Sequence, residues 1–172
     1  MAGLALRRRP PPLPNHRLRR RLPSVERRRC ASRTPTAADL PAIRDLLARS
    51  SLPWQDLGCP NQTSLVARDE DELAGCVGLE AYGAAALLRF PAVPSSRWGC
   101  GLGTALHERA VELARQAGIV EVFLLTTTAD RFFLREGCTR VARSCVPAAV
   151  LASRELRTLY PSTAVCMSRR LG

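Results

Sequence analysis

Three glycines at alternate positions, Gly99, Gly101 and Gly103, have the spacing in this 172-residue chain that points most directly to chemistry. They lie between an apolar run at residues 84–93 and a helical pattern that begins near residue 102. Glycine lets successive N–H groups converge, and the dipole of a following helix favours an anion there. This spacing also occurs in ordinary glycine turns, but here it predicts a cradle for a phosphate or pyrophosphate group.

Two other phosphate-binding loops do not fit the same stretch. A P-loop requires a lysine directly after its last glycine, and the chain contains no lysine. A dinucleotide-binding loop would need a third glycine at position 104, which is Thr104. The glycine turn is therefore of a different kind.

The elements that must hold this turn are predicted from apolar periodicity and turn residues. The first helix runs from Thr36 to about Arg49, and a loop rich in proline and glycine covers residues 51–61. Further strands and helices follow along the rest of the chain. We expect strands at residues 63–67, 73–82, 84–93, 121–126, 139–143 and 163–169, and helices starting at residue 102 and covering residues 130–135 and 147–159.

The order of these blocks resembles the GNAT acetyltransferases. The residues that carry the resemblance are the glycine turn, which is similar to their motif A, the strand Gly75-Cys76-Val77-Gly78-Leu79-Glu80, and the segment from Leu124 to Cys138. With Val146-Pro147-Ala148-Ala149 and the ending Ala164-Val165-Cys166-Met167, the sequence looks most like GNAT proteins of bacterial arsenic-resistance operons. The resemblance covers about residues 34–171.

The resemblance implies a fold, a co-substrate and a set of contacts. The fold is α+β, with a mixed, mostly antiparallel seven-stranded sheet, flanking helices and two splayed central parallel strands. The pyrophosphate of acetyl-CoA would lie on the glycine turn, and its pantetheine arm would pair with strand amides between the splayed strands. The implied coenzyme contacts are Ala92, Val93, Arg97, Gly99, Cys100, Gly101, Leu102, Gly103, Thr104, Phe132 and Phe133.

Three residues are candidates for the acceptor side of such an enzyme. Acetyl transfer to an amine needs a base, and Glu80, near the end of its strand, is the candidate; the alternative is a surface carboxylate. Arg89 interrupts an apolar strand, either to clamp an acceptor anion or to form a salt bridge with Glu80. Trp54 either contacts the acceptor or packs as an ordinary loop tryptophan.

The sequence also departs from the GNAT pattern. Trp98 stands where motif A has arginine or glutamine, with Arg97 one position early. Pro91 removes a backbone N–H that commonly binds the thioester carbonyl, and such a loss costs on the order of a hundredfold in rate. Phe133 replaces a frequent tyrosine that protonates the leaving thiolate. These changes predict a slow or catalytically degenerate member.

Positive charge is concentrated at the start of the chain. Residues 1–33 hold eleven arginines and one acid, Glu26, which gives a formal charge of +10, whereas residues 34–172 carry +1. Prolines among mutually repelling arginines predict a disordered tail, with the acetyltransferase domain at residues 34–172. Three interpretations of this tail stay open, namely a nucleic-acid-binding arm, an organellar presequence and a translated extension upstream of the true start.

The cysteines and the lengths of the apolar runs indicate the cellular environment of the protein. Seven cysteines, an odd count without a C-x-x-C pair, favour reduced thiols in a core, with thiol capture of arsenic as the alternative and no metal site expected. No apolar stretch reaches membrane-spanning length, so we predict a cytoplasmic protein without a membrane partner.

The predicted function is therefore N-acetyl transfer from acetyl-CoA to a small primary amine. The resemblance adds that this amine is amino-acid-like and related to resistance, and that the final strand is often a homodimer edge. The alternatives are a catalytically degenerate acyl-CoA-binding module and a protein that binds nucleic acid through its arginine tail.

Overall fold

The structure, a computed structural model, describes residues 32–172. Seven strands alternate with helices along this part of the chain. The strands are β1 Ser32–Arg33, β2 Gln62–Asp69, β3 Glu72–Tyr82, β4 Ala85–Ala92, β5 Glu121–Thr126, β6 Thr139–Arg140 and β7 Val165–Arg170. The helices are α1 Leu40–Arg49, α2 Leu102–Gln116, α3 Asp130–Arg135 and α4 Ala148–Leu151, followed by a wider helical turn at Glu155–Leu159.

All seven strands belong to one sheet in the order β1-β2-β3-β4-β5-β7-β6. Neighbouring strands are antiparallel except β4 and β5, which are parallel. The crossover between these two strands contains α2, as a parallel connection requires. The predicted mixed, mostly antiparallel seven-stranded sheet is confirmed.

Apolar side chains cover both faces of the sheet, because successive residues of a strand point to opposite sides. On one face, Leu65, Val77 and Leu124 pack with α2 and with Phe133 of α3. The opposite face is covered by α1 at one end and by residues 146–156 at the other. The space between these two coverings, above β3 and β4, is where polar side chains enter the interior.

The first described residues, two positions before the predicted boundary at residue 34, already belong to the sheet. Ser32 and Arg33 pair with Ala67 and Val66 of β2. The Arg33 guanidinium donates to both carboxylate oxygens of Asp39, at 2.7 and 2.9 Å, which fixes this first strand. Of the tail predicted to be disordered, residues 1–33, the first 31 residues lie outside the described part of the chain, and Ser32 and Arg33 form β1.

A bulge interrupts β4 shortly before its end. Gly78 of β3 lies opposite Arg89 and Cys76 lies opposite Ala92, so β4 uses one residue more than β3 over this interval. Phe90 takes the left-handed backbone conformation there, with φ +54°. Pro91 follows it, and a bulge is one of the few places where a central strand accepts a residue without an N–H.

Two C-terminal elements differ from the predictions. The strand expected at residues 139–143 is only Thr139–Arg140, and the helix expected at 147–159 is interrupted after Leu151. The Ser153 hydroxyl accepts a hydrogen bond from the backbone N–H of Leu156 at 3.3 Å, a local bond that competes with continuous helix. Within residues 32–172, no helix is both long and apolar enough to cross a bilayer.

Candidate active site

The central strands β4 and β5 are paired over only three residues each. The last pair joins Leu87 to Phe123, after which β4 continues to Ala92 and β5 to Thr126 with no further pairing between them. The predicted separation of the two central parallel strands is confirmed. It leaves strand edges whose backbone groups are free to bind an extended ligand.

Val93, directly after β4, presents its backbone to this opening. Ala92 pairs with Cys76 of β3, and successive residues of an extended chain direct their backbone groups to opposite sides. The carbonyl of Val93 accepts a hydrogen bond from the indole Nε1–H of Trp98 at 2.8 Å. The Trp98 ring is 73% exposed, so this bond is made at the surface.

The glycine turn forms a cluster of unused backbone donors. Gly99 and Gly101 have φ of +78° and +82°, and a Cβ at either position would meet no atom within 4 Å. Glycine is needed there for the backbone conformation and not for space. In the described part of the chain, no hydrogen bond uses the amides of residues 99–104, which lie at the positive end of α2.

Side chains from α3 close one side of this turn. The Phe132 ring lies 3.4 Å from where a Cβ on Gly103 would be, and the Thr104 hydroxyl donates to Glu136 at 2.7 Å. Phe133 packs inside the core, where its ring meets that of His107 edge-on. Of the two phenylalanines predicted to contact the coenzyme, only Phe132 is partly exposed beside the turn.

Arg97 points away from the turn. Its guanidinium donates to Asp69 at 2.6 Å and to Glu72 at 3.3 Å, at the β2–β3 connection. A pyrophosphate contact would require Arg97 to leave these carboxylates. Cys100 is exposed on the turn, whereas Leu102 is buried and anchors the start of α2 in the core.

Arg89 lies at the centre of a buried carboxylate cluster and is fully inaccessible to solvent. Its Nη2 donates to Asp56 at 2.7 Å, its Nη1 donates to Glu80, and its Nε forms an ion pair with Glu155 that lacks hydrogen-bond geometry. All three guanidinium nitrogens thus face carboxylates of the protein. The salt bridge to Glu80, one of the two predicted roles of Arg89, is present in the structure.

Glu80 is held by donors on both oxygens. Its Oε1 accepts from the Tyr82 hydroxyl at 2.6 Å and from the Asn61 amide at 3.3 Å, while its Oε2 accepts from Arg89. Burial and the neighbouring Glu80 carboxylate raise the pKa of Tyr82, so this hydroxyl stays a donor. Burial also raises the pKa of Glu155 to about 8, against the opposing charge of Arg89.

The loop at residues 50–61 reaches the cluster through Asp56 and Asn61. Trp54, on the same loop, is 39% exposed, and the Arg44 guanidinium of α1 lies 5.8 Å from its ring centroid. The loop therefore contributes polar groups to the carboxylate cluster, and its Trp54 lies against α1.

Comparison with known families identifies this arrangement. The model of the Acetyltransferase (GNAT) family matches residues 32–142, well over half of the chain. The chain belongs to the GNAT acetyltransferase family. The description of this family names acetyl transfer as the activity of its members.

Several solved structures share the GNAT fold of this chain. N-acetylglutamate synthase from Neisseria gonorrhoeae, complexed with coenzyme A and N-acetyl-glutamate, has a TM-score of 0.69 at 19% identity, over 83% of this chain and 35% of that one. A Mycobacterium tuberculosis protein in complex with CoA has a TM-score of 0.68 at 22% identity, over 83% and 99% of the two chains. The Escherichia coli ribosomal-protein-S18-alanine N-acetyltransferase has a TM-score of 0.63 at 17% identity, over 83% and 94%.

These similarities show the fold alone. The chain spans about a third of the gonococcal synthase but nearly the full length of the other two proteins. No curated protein matches the sequence.

The GNAT fold brings the predicted site residues together in two groups. The glycine turn, Val93 and Phe132 lie at the strand opening, and Glu80 and Arg89 lie in the carboxylate cluster. Sequence reasoning missed Asp56, Tyr82 and Glu155. Tyr82 had a signal, since it lies two residues after Glu80 on the same strand face, whereas Asp56 and Glu155 come from distant loop and helical segments.

Proposed function

We propose that this GNAT protein is an N-acetyltransferase that moves the acetyl group of acetyl-CoA to a small primary amine. The observation that carries the proposal is the opening between β4 and β5 beside the unused amides of residues 99–104. A ligand with an extended amide-containing arm and an anionic pyrophosphate matches both features. A role in arsenic resistance is proposed only on the sequence resemblance.

On the coenzyme side, each group has a defined task. The amides of residues 99–104 hold the pyrophosphate, the backbone of Val93 pairs with the pantetheine arm, and the Phe132 ring packs beside the turn. When bound, acetyl-CoA supplies a thioester carbonyl that an amine can attack. Arg97 has no part in this binding while it is paired with Asp69 and Glu72.

On the acceptor side, Glu80 is proposed to remove a proton from the amine. An ammonium group has no lone pair, so it must lose a proton before it attacks the carbonyl carbon. Glu80 lies next to Tyr82 and Asn61 at the edge of the cluster, where a water molecule can connect it to the acceptor. Arg89 orients the Glu80 carboxylate without contacting the acceptor.

A catalytically degenerate coenzyme-binding module is the second candidate function. Pro91 offers no N–H to the thioester carbonyl, and Phe133 has no hydroxyl and lies in the core. Both observations favour slow chemistry without weakening the binding of the coenzyme.

The deciding experiment measures thiol release from acetyl-CoA by the full-length protein with a panel of primary amines. We expect amine-dependent thiol release, together with an N-acetylated product by mass spectrometry. Calorimetric binding of coenzyme A without thiol release would establish the binding module instead. Absence of coenzyme binding would refute both functions.

A further inference from the structure

The buried cluster around Arg89 contains more negative than positive charge. One guanidinium faces three carboxylates, those of Asp56, Glu80 and Glu155. Each of these three acidic residues has only 3–8% of its surface exposed. The other donors to these carboxylates, Tyr82 and Asn61, are neutral. Ionised carboxylates in such an environment require a cation or a proton to compensate their charge.

One buried carboxylate oxygen in this cluster has no hydrogen-bond partner among residues 32–172. Asp56 is 5% exposed and its Oδ2 accepts from Arg89, but its buried Oδ1 accepts no hydrogen bond. A buried acceptor left without a donor costs free energy, and a ligand N–H can supply the missing bond. The Oδ1 atom of Asp56 is therefore the position at which an additional donor is best accommodated.

The cluster also lies beside the strand opening at which the proposed acetyl transfer would take place. Arg89 precedes the bulge at Phe90, just beyond the last pair between β4 and β5. Because each nitrogen of Arg89 already faces a carboxylate, residues 32–172 place no free cation at this site for an acceptor carboxylate. The charge of the site thus disfavours an amino-acid-like acceptor.

We infer that the acceptor amine carries a second positive charge, which Asp56 and its neighbouring carboxylates bind. This inference rests on the proposed acetyltransferase function and names its substrate class, a short diamine. No group of His, Cys, Asp and Glu side chains between residues 32 and 172 is arranged to hold a metal ion, so the geometry favours an organic ammonium group.

Protonation of Glu155 is consistent with this charge balance. Burial raises its pKa to about 8, so the cluster without ligand holds a proton at neutral pH. A bound ammonium group supplies the same positive charge and favours release of that proton. In the transfer itself, the reacting ammonium first loses one proton to the base, and its nitrogen then forms the C–N bond as the C–S bond breaks. The nitrogen loses a second proton to give the neutral amide and the coenzyme sulfur takes up one, so one proton is released overall. The second ammonium stays charged.

Three probes with four carbon atoms each test the terminal charge of the acceptor. They are 1,4-diaminobutane, n-butylamine and 4-aminobutyrate, which end in an ammonium, a methyl and a carboxylate group. With saturating acetyl-CoA and the full chain, we expect the kcat/KM of the diamine to exceed that of butylamine at least tenfold, with 4-aminobutyrate lowest. A preference for butylamine or 4-aminobutyrate would overturn the inference.

Asp56→Asn tests whether Asp56 is the residue that binds the second ammonium group. It is expected to bring the diamine-to-butylamine ratio of kcat/KM close to one, because an amide cannot neutralise an ammonium. The matched control is Asp45→Asn, which removes an exposed carboxylate on α1 and should preserve the ratio. An unchanged ratio in Asp56→Asn would refute the assignment.

A binding measurement separates this inference from the proposed function. We expect 1,4-diaminobutane to raise the thermal unfolding midpoint of the wild type by several degrees, and to do so far less in Asp56→Asn. If that shift is present but no amine supports thiol release, the cation site stands and the acetyltransferase function fails. If the diamine neither shifts unfolding nor exceeds butylamine as a substrate, the inference fails.

Discussion

The indole nitrogen of Trp98 lies 2.8 Å from the carbonyl oxygen of Val93, on the strand edge that the pantetheine arm is proposed to use. The Val93 carbonyl on that edge therefore already accepts a hydrogen bond from a tryptophan, a residue that the GNAT motif does not contain at this position. In the proposed mode of binding, the coenzyme and the Trp98 indole compete for the same oxygen.

Trp98→Phe is expected to increase affinity for coenzyme A about fivefold, because a net hydrogen bond of about 1 kcal/mol no longer has to be broken. Titration calorimetry measures the change, and Trp54→Phe serves as the control on the other tryptophan. Equal affinity in wild type and Trp98→Phe would show that the indole does not compete with the coenzyme.

Gly101→Ala is expected to weaken coenzyme binding at least tenfold, because a Cβ disfavours the φ of +82° that turns the amides of the loop outward. Gly118→Ala is the matched control, with φ +74° and equally open surroundings at the far end of α2. Both variants should lose about 1 kcal/mol of unfolding free energy in urea. If the two variants bound coenzyme A with similar affinity, the glycine turn would not be the binding site of the pyrophosphate.

Glu80→Gln is expected to lower kcat about a hundredfold while leaving the affinity for coenzyme A unchanged, because a general base contributes to the reaction step and not to coenzyme binding. Glu112→Gln, an exposed change on α2, controls for the substitution type. Steady-state kinetics over a range of pH measures the effect. Wild-type kcat in Glu80→Gln would remove Glu80 from the mechanism.

The stability of the protein is expected to fall as pH rises from about 5 to above 8, owing to Glu155. With its pKa raised from 4.5 to about 8, the folded protein binds a proton there that the unfolded chain has lost. The unfolding free energy then decreases by at most about 1.4 kcal/mol per pH unit. Urea unfolding at several pH values should show a flatter profile for Glu155→Gln than for Glu112→Gln; identical profiles would contradict the shift.

Asp39→Asn is expected to destabilise the fold by about 1 to 3 kcal/mol, because the buried carboxylate accepts from Arg33 and, at 2.8 Å, from Arg68. Arg33 holds the pKa of Asp39 well below its usual range, so this stabilisation is present above about pH 4 and is lost at lower pH. Urea unfolding at pH 7 and pH 3 measures both effects. Asp45→Asn should cost under about 0.5 kcal/mol.

Elements with strong local signals were predictable from the sequence. The strand Glu121–Thr126 is a continuous apolar run, and the helix Asp130–Arg135 ends before Gly137, which takes φ +82°. The glycine turn was predictable from its spacing before a helical pattern, whereas the separated strands followed from the family resemblance. The C-terminal helix was not predictable in detail, because the competing hydrogen bond of Ser153 depends on its exact placement.

The acceptor side was only partly predictable. Glu80 and Arg89 stand out as charged residues in apolar strands, so their importance was visible. Their partners Asp56 and Glu155 lie in segments with no regular pattern, and only the folded chain brings them to Arg89. The direction of Arg97 also depends on the position of the β2–β3 connection, which no spacing along the chain encodes.

The short pairing of β4 with β5 has a mechanical consequence. Three residue pairs are the only ladder that joins the half-sheet β1–β4 to the half-sheet formed by β5, β7 and β6 in the described chain. Because so few hydrogen bonds join the two halves, the backbone amides in the β4–β5 pairing should exchange with deuterium sooner than the amides within either half. A pantetheine arm between the strands would add hydrogen bonds across this opening, so coenzyme binding would make the two half-sheets move less relative to each other.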